Sequence, residues 1–352
     1  MKEIFRNDAA TLARDWGIHL AGVRGYFSEM AMDADLPPYS PVTAPNSGVP
    51  AIFTTYTDPA VIRAVVTPTR SEAVYGVAQK GDWTTDAAQF PVVELAGYAT
   101  AYDDYSPAGG SDANANWVGR QSFHFQTWTR WGEREVERMG AARIDWVNQK
   151  NLASVSVLNR NANAINLFGV AGLELYGALN DPRLPAAITP VAKVSPTGAA
   201  AGTAWTEVSD PVQVYNDILK AFGVLSTQLG GTLTLETPMT LVIPTERQQC
   251  MLYTNQYQVS LADLLRKNLP NLRVETLPEA GVSLSGGASA TTLMQLFVNE
   301  VEGQKTVTTA FTEKLRAHTV ERASSSFRQK KSQGSWGTLW FYPMACVTMA
   351  GV

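Results

Sequence analysis

From Gly132 to Phe168, apolar residues recur mostly at three- and four-residue steps: Val136, Ile144, Val147, Leu152, Val155, Leu158, Ala162 and Ile165. This spacing predicts one amphipathic helix. Glu133, Glu135 and Glu137 favour its start through the helix dipole. A helix of about 30 residues would be roughly 45 Å long, a strut rather than an ordinary core helix. The alternative is a break near Gly140 or Asn159. Helical spacing also marks residues 1–35 through Leu12, Trp16, Leu20, Val23 and Phe27, weakened by Gly17, Gly22 and Gly25. The five prolines from Leu36 to Pro50 exclude regular helix and central strand and predict an extended arm. AIFTTY at 51–56 reads as a short strand, and Asp58 before Pro59 as a helix start.

Two-residue alternation replaces this pattern further on. Phe90 to Tyr102 predicts one strand and Trp117 to Trp131 another. The second puts Phe123, Phe125, Thr127, Thr129 and Trp131 on one face, and His124, Gln126, Trp128 and Arg130 on the other. DDYSPAGGSDANAN between them reads as a long flexible tip. The result is a two-stranded excursion of about 40 residues, and a lone ribbon is marginally stable in water, so it needs a surface to lie on. An ordinary hairpin inside a larger sheet is the alternative.

Residues 209–310 predict a compact α/β unit. Ser209, Asp210 and Pro211 open a helix that Gly230-Gly231 closes. Leu241-Val242-Ile243 is a buried strand stopped by Pro244, and Thr245 caps a helix toward Tyr253. A helix over Ser260–Leu269 and strands at Leu272–Leu277 and Leu293–Val301 follow. The terminal run TLWFYPMACVTMAGV reads as one strand, bulged or at an edge at Pro343.

At 352 residues and 45% hydrophobic, the chain can bury a large core, with about two domains as a prior. A net charge of -4 gives no global case for nucleic-acid binding, although a shell that merely encloses nucleic acid would need none. The basic stretch Lys314, Arg316, Arg322, Arg328, Lys330 and Lys331 reads as nonspecific phosphate attraction, or as a solvated face or inter-subunit salt bridges. The N-terminus lacks the apolar core of a signal peptide, and no apolar run approaches a membrane span. Cys250 and Cys346 have no metal spacing and read as buried thiols. His19, His124 and His318 lie in separate segments, and no zinc, dinucleotide, phosphate-loop or nucleophile-elbow motif is present. SLSGGASATT at 283–292 lacks the lysine of a phosphate loop, and Asp103-Asp104 reads as a solvated tip. No catalytic, cofactor-binding or metal residue is expected.

Asn166 to Pro190, NLFGVAGLELYGALNDPRLPAAITP, carries Phe168-Gly169, Gly172-Leu173, Tyr176-Gly177 and Leu179-Asn180-Asp181-Pro182. This resembles the FGxxGLxxYGLLNDPxLP junction after the long helix in one branch of the tailed-bacteriophage major capsid proteins with the Hong Kong 97-type fold. It departs from that phrase at Ala178. The resemblance implies an α+β fold: N-terminal arm 1–50, peripheral domain 51–84, 132–200 (with the spine helix) and 302–334, extended β-hairpin loop 85–131, and α/β axial domain 201–301, with 335–352 a final strand in the axial domain. It implies hexamers and pentamers forming an icosahedral shell around double-stranded DNA, in a virion made in the host bacterial cytoplasm. Portal, scaffolding or decoration proteins are further partners it allows. Tyr102, Tyr105, Trp117, Phe123, Phe125 and Trp128 are the expected inter-subunit contacts. Some members crosslink a lysine to an asparagine; the lysine nearest the ribbon is Lys80, and no crosslink is expected. No cleaved scaffolding segment is expected within the chain, which opens on methionine without a long charged helical prefix. An encapsulin-like compartment shell is the alternative on the same fold. A hydrolase or carbohydrate-binding protein with a β arm is the alternative of another class.

Overall fold

The computed structural model describes residues 68–105, 109–141, 144–195, 198–199, 201–282 and 291–352. The expected helix in 1–35, the proline-rich arm, the strand at 51–56, the Asp58-Pro59 helix start and the heart of the 283–292 loop lie outside them. Among the described residues no helix is long and apolar enough to cross a membrane.

Two four-stranded sheets organise the rest. The first has the order β1-β10-β11-β4, from Val77–Gln79, Val307–Arg322, Ser326–Trp340 and Phe123–Gly132. The second has the order β12-β7-β5-β6, from Cys346–Ala350, Leu293–Val298, Met239–Pro244 and Leu272–Leu277. β2 (Ala87–Tyr98) and β3 (Gly110–Gln121) form a two-stranded sheet of their own. β8 (Glu300–Val301) and β9 (Gln304–Lys305) make a small hairpin. Short α1 (Ser71–Tyr75) precedes β1.

The long periodic stretch is two helices, not one: α2 (Glu133–Ala141) and α3 (Trp146–Phe168). The first helix ends at Ala141, beside Gly140, where the alternative reading places a break, although the apolar spacing continues across it. Asp145 restarts the helix by accepting a hydrogen bond from the Asn148 backbone N–H, an N-cap. At 23 residues α3 is about 35 Å long. Glu135 holds the joint: it accepts from Lys150 Nζ at 2.8 Å, from Trp146 Nε1 and from the Gly132 N–H. These bonds hold its pKa down to about 2. The depressed value means the contribution is present above the unfolded-state pKa near 4.5 and is lost as pH falls through about 2. Thermal unfolding from pH 5 down to pH 2 should therefore show a smaller loss in Glu135→Gln than in the native chain, and identical pH slopes would contradict this.

The face that α3 buries is only in part the expected apolar stripe: Leu158 and Ile165 are buried, but polar residues share the face. Leu152 is exposed, while Ser154, Asn163 and Asn166 are buried. The strand beneath is polar on that side. Lys331 Nζ donates to Asn151 Oδ1 (2.8 Å) and Ser154 Oγ (2.7 Å), Gln333 to Asn159, and Ser335 Oγ to Asn166 Oδ1 (3.0 Å). Buried polar groups must be paired, so a polar helix face is the matching solution.

The second sheet matches the predicted α/β unit closely. Asp210 caps α4 (Pro211–Gln228) by accepting from the Val212 N–H, and Ser260 caps α5 (Leu261–Asn268). Val214, Ile218, Ala221 and Leu225 of α4 pack with Leu241, Ile243, Leu296, Val347 and Met349. Thr245 does not cap an α-helix: Thr245–Leu252 is 3-10 helix with no side-chain cap. The opposite sheet face joins Val242, Phe297 and Cys346 to Tyr75, Leu167 and Trp340. Tyr75 stacks on Phe297 at 5.7 Å, and Trp340 meets both rings edge-on. This shared core welds the two sheets at the C-terminal end of α3.

The terminal apolar run is likewise two strands in different sheets. β11 continues to Trp340 in the first sheet, and after the 3-10 turn Pro343–Ala345, β12 enters the second. Pro343 is thus a crossover between sheets rather than a bulge within one strand. Cys250 and Cys346 are buried free thiols, and burial pushes Cys346 up to about 12.

Candidate functional site

Among the described residues, the ribbon is the part that its own chain leaves most uncovered. β2 and β3 pair over twelve register positions, from Ala87↔Gln121 to Tyr98↔Gly110. Strand rise makes that about 40 Å of antiparallel ladder. β3 starts seven residues before Trp117, inside the stretch read as a flexible tip, so the tip is shorter than expected. The GSDANAN segment forms strand because an exposed ribbon demands no apolar residue on its solvent side, and β2 pairs with it along its whole length. Only the root is covered: Ala88 and Phe90 pack with Trp336 and Leu339, and Phe90 meets Phe341 edge-on at 6.3 Å.

Alternation then sorts the exposed side chains. One face carries the cross-strand pairs Pro91↔Trp117 and Val93↔Ala115; the other carries Val92↔Asn116, Ala96↔Asp112 and Tyr98↔Gly110. Trp117 and Val93 are each 59% exposed. The first face is therefore an apolar strip with no cover from the described residues, and the second is mainly polar.

A buried ionic joint fixes the root. Arg120, 5% exposed, donates from Nη2 to Asp181 Oδ2 at 3.0 Å, and Asp181 is itself buried. Arg183 reaches the same carboxylate oxygen at 3.3 Å and donates on to the Trp340 carbonyl. Arg120 also lies over the Tyr176 ring at 4.8 Å. Burial, helped by Arg183, lowers the Arg120 pKa. The neighbouring backbone is tied too: the Gln121 N–H donates to the Glu174 carbonyl, and Ser122 N–H to that of Asp86.

The Phe168–Pro182 phrase explains itself in this joint. Gly169 ends α3 with φ +68°, and a Cβ there would sit 2.3 Å from the Leu175 carbonyl oxygen. A Cβ on Gly177 would sit 2.1 Å from the Leu167 carbonyl. Asn180 bridges the same turn, accepting from the Gly177 N–H and donating to the Phe168 carbonyl. The glycines let two backbone segments, 167–169 and 175–177, touch, and Asp181 receives the ribbon. Arg120, Asp181 and Arg183 were absent from the sequence-based contact residues because Arg120 and Asp181 are 61 positions apart.

The sequence-based residues fall into separate places. Tyr102 and Tyr105 stand at the tip, 90% and 94% exposed, and Trp117 lies on the apolar strip. Phe123, Phe125 and Trp128 are not on the ribbon, because the strand read as Trp117–Trp131 breaks at Ser122 and its second half is β4. Phe123 and Phe125 stack on each other at 6.3 Å, half-buried on the α3 side of the first sheet. Trp128 is exposed on the far side under Arg328. His124 and His318 converge on one indole, Trp83, as edge-on neighbours at 4.7 and 6.5 Å. Their ring nitrogens face Thr312 and Ser332 hydroxyls. Lys314, Arg316, Arg322 and Arg328 pair within the chain with Glu72, Glu313, Glu133 and Glu321. No group of His, Cys, Asp and Glu able to hold a metal occurs among the described residues.

The sequence model of the Pa193 gp26 major capsid protein family matches residues 40–351. The chain belongs to this family. The capsid protein is thus a structural, non-enzymatic subunit of a phage capsid. Its fold is that of solved tailed-phage capsids of the Hong Kong 97 type. The capsid of Myoviridae phage XM1 superposes with a TM-score of 0.66 at 11% identity, over 86% of this chain and 99% of that one. The capsid of a native GTA particle gives 0.58 at 12%, over 88% and 99%. A Gordonia phage Cozz structure gives 0.58 at 8%, over 91% and 98%. No curated protein matches the chain. At these identities the superpositions show the fold of the capsid protein alone.

Proposed function

We propose that this capsid protein closes its shell by laying the β2–β3 ribbon on a neighbouring copy, apolar strip downward. The carrying observation is that Trp117 and Val93 remain mostly exposed on a ribbon whose root is fixed by a buried ion pair. A rigid, uncovered apolar strip gains its burial from a partner, and in a homopolymeric shell the partner is another copy. In this reading the copies form hexamers and pentamers around double-stranded DNA, in a particle made in the host bacterial cytoplasm. Residues 201–301 with β12 sit toward the capsomer axis. α2, α3 and the first sheet form the peripheral domain. Portal, scaffolding or decoration proteins would meet the assembled shell. Tyr102, Tyr105, Trp117 and Trp128 are the contact residues of this reading, while Phe123 and Phe125 serve packing in their own chain.

Trp117→Asp tests it. The ribbon face is exposed in the isolated subunit, so folding should be unchanged, within about 0.5 kcal/mol. The fraction assembled should fall at least about tenfold, as expected when a charge is buried in an apolar contact. Sedimentation with electron microscopy reads the outcome, and normal shells from the variant would refute the docking face.

A further inference from the structure

The charge on the ribbon and the charge on the first sheet are opposite, and each is left without enough local compensation. From Gly81 to Gly119 the chain has the acids Asp82, Asp86, Glu94, Asp103, Asp104 and Asp112 and no lysine or arginine. Asp103, Asp104 and Asp112 cluster at the far end, beside Tyr102 and Tyr105. Their hydrogen bonds are local ones, to Tyr102, to the Tyr105 N–H and to the Ala113 N–H.

The sheet face turned away from α3 is the complement. Lys331, Gln333 and Ser335 point to the helix, so the alternate residues Arg328 and Lys330 point outward. The register sets Arg130 opposite Arg328 and Trp128 opposite Lys330. Two like charges directly opposed across a strand pair are unfavourable. Arg328 is offset by Glu321 at 2.6 Å, but Arg130 and Lys330 make no ion pair among the described residues. Trp128 lies between them, 40% exposed, with the Arg328 guanidinium 5.3 Å from its ring centre. This is a flat cationic and aromatic surface. The chain's own ribbon does not lie on it, since its described side chains beyond Phe90 and Trp117 are exposed.

We propose that the acidic tip of the ribbon, Asp103 and Asp104, docks on the Arg130–Trp128–Lys330 face of a second copy. The proposal rests on the reading that the ribbon lies on a neighbour and adds where it ends. The apolar strip supplies contact area, and the charges fix register and steer encounter. Tyr102 and Tyr105 would pack beside the indole as Asp103 and Asp104 meet the free cations. Phosphates of enclosed nucleic acid are the competing occupant of the same cations, and the test separates them.

The experiment is a charge exchange in the full chain. Asp103→Lys with Asp104→Lys, and separately Arg130→Glu with Lys330→Glu, should each lower the assembled fraction about tenfold, because like charges then face each other. The four changes together restore opposite charges and should bring assembly back to within about threefold of native, the non-additivity that marks a direct pair. All four sites are exposed or half-buried, and circular dichroism checks that each variant folds. Two results overturn the proposal: normal assembly of either reversed pair, or a fourfold variant no better than its weaker parent. An Arg130→Glu, Lys330→Glu protein that assembles normally but retains less nucleic acid assigns the face to phosphate instead. A variant with Val92–Asn116 replaced by a tight turn separates the two levels. If it assembles normally, the ribbon reading itself falls. If it fails while the charge exchange does not restore assembly, only the docking face assigned here falls.

Discussion

Replacing Asp181 by alanine is expected to lower the unfolding free energy by about 3–5 kcal/mol, among the largest effects of any single change in this protein. The carboxylate is shared by Arg120 and Arg183, and Arg120 is 5% exposed. Removing the acid leaves a buried guanidinium facing another one, with desolvation uncompensated. The ribbon root is the first thing to loosen, so limited proteolysis should cut near 118–122 in the variant and not in the native chain. Arg120→Ala should be milder, since Asp181 keeps Arg183. Equal stability of Asp181→Ala and native protein in urea unfolding would show that the pair does not anchor the ribbon.

The second large effect is expected at Gly177. An alanine Cβ there would lie 2.1 Å from the carbonyl carbon and oxygen of Leu167 and 2.3 Å from the Phe168 nitrogen. These are backbone atoms at the end of α3 and cannot swing aside as a side-chain end can. Overpacking typically costs about 1–3 kcal/mol, and a collision with main chain belongs at or above the upper end. The helix terminus and the Asn180 bridge would have to separate. Gly172→Ala is the control within the same phrase: its φ is +86°, but nothing lies within 4 Å of the added carbon. Only the backbone strain of a positive φ remains, about 1–2 kcal/mol. Gly177→Ala should therefore unfold at lower urea than Gly172→Ala, and the reverse order would contradict the packing described.

What the chain's pattern reveals depends on whether a signal is local. Asp210-Pro211, Ser260 and Pro244 act within a few residues, and the caps and strand end fall where they indicate. The alternation of β4 correctly separates Phe125 and Thr129 from Trp128 and Arg130. The ribbon is legible as an excursion, but the start of β3 is not, because Asp, Asn and Gly read as turn when no buried face constrains them. The break before α3 does not show in the apolar spacing, which runs through it; Gly140 and Asp145 mark it. The polar underside of α3 is set by Lys331 and Gln333, more than 170 positions later. The joint of Arg120 with Asp181 is hidden for the same reason, although the LNDPRLP phrase marks its acidic half.

In an assembled shell the ribbon of one copy is expected to be covered by the next. Cryo-electron microscopy of assembled particles tests it most directly. The expected map shows β2 and β3 crossing onto an adjacent subunit, with Trp117 and Val93 buried beneath and the tip at Arg130 and Lys330. Shells in which that strip faces solvent, or a purified chain that remains a uniform monomer under assembly conditions, would rule out this covering.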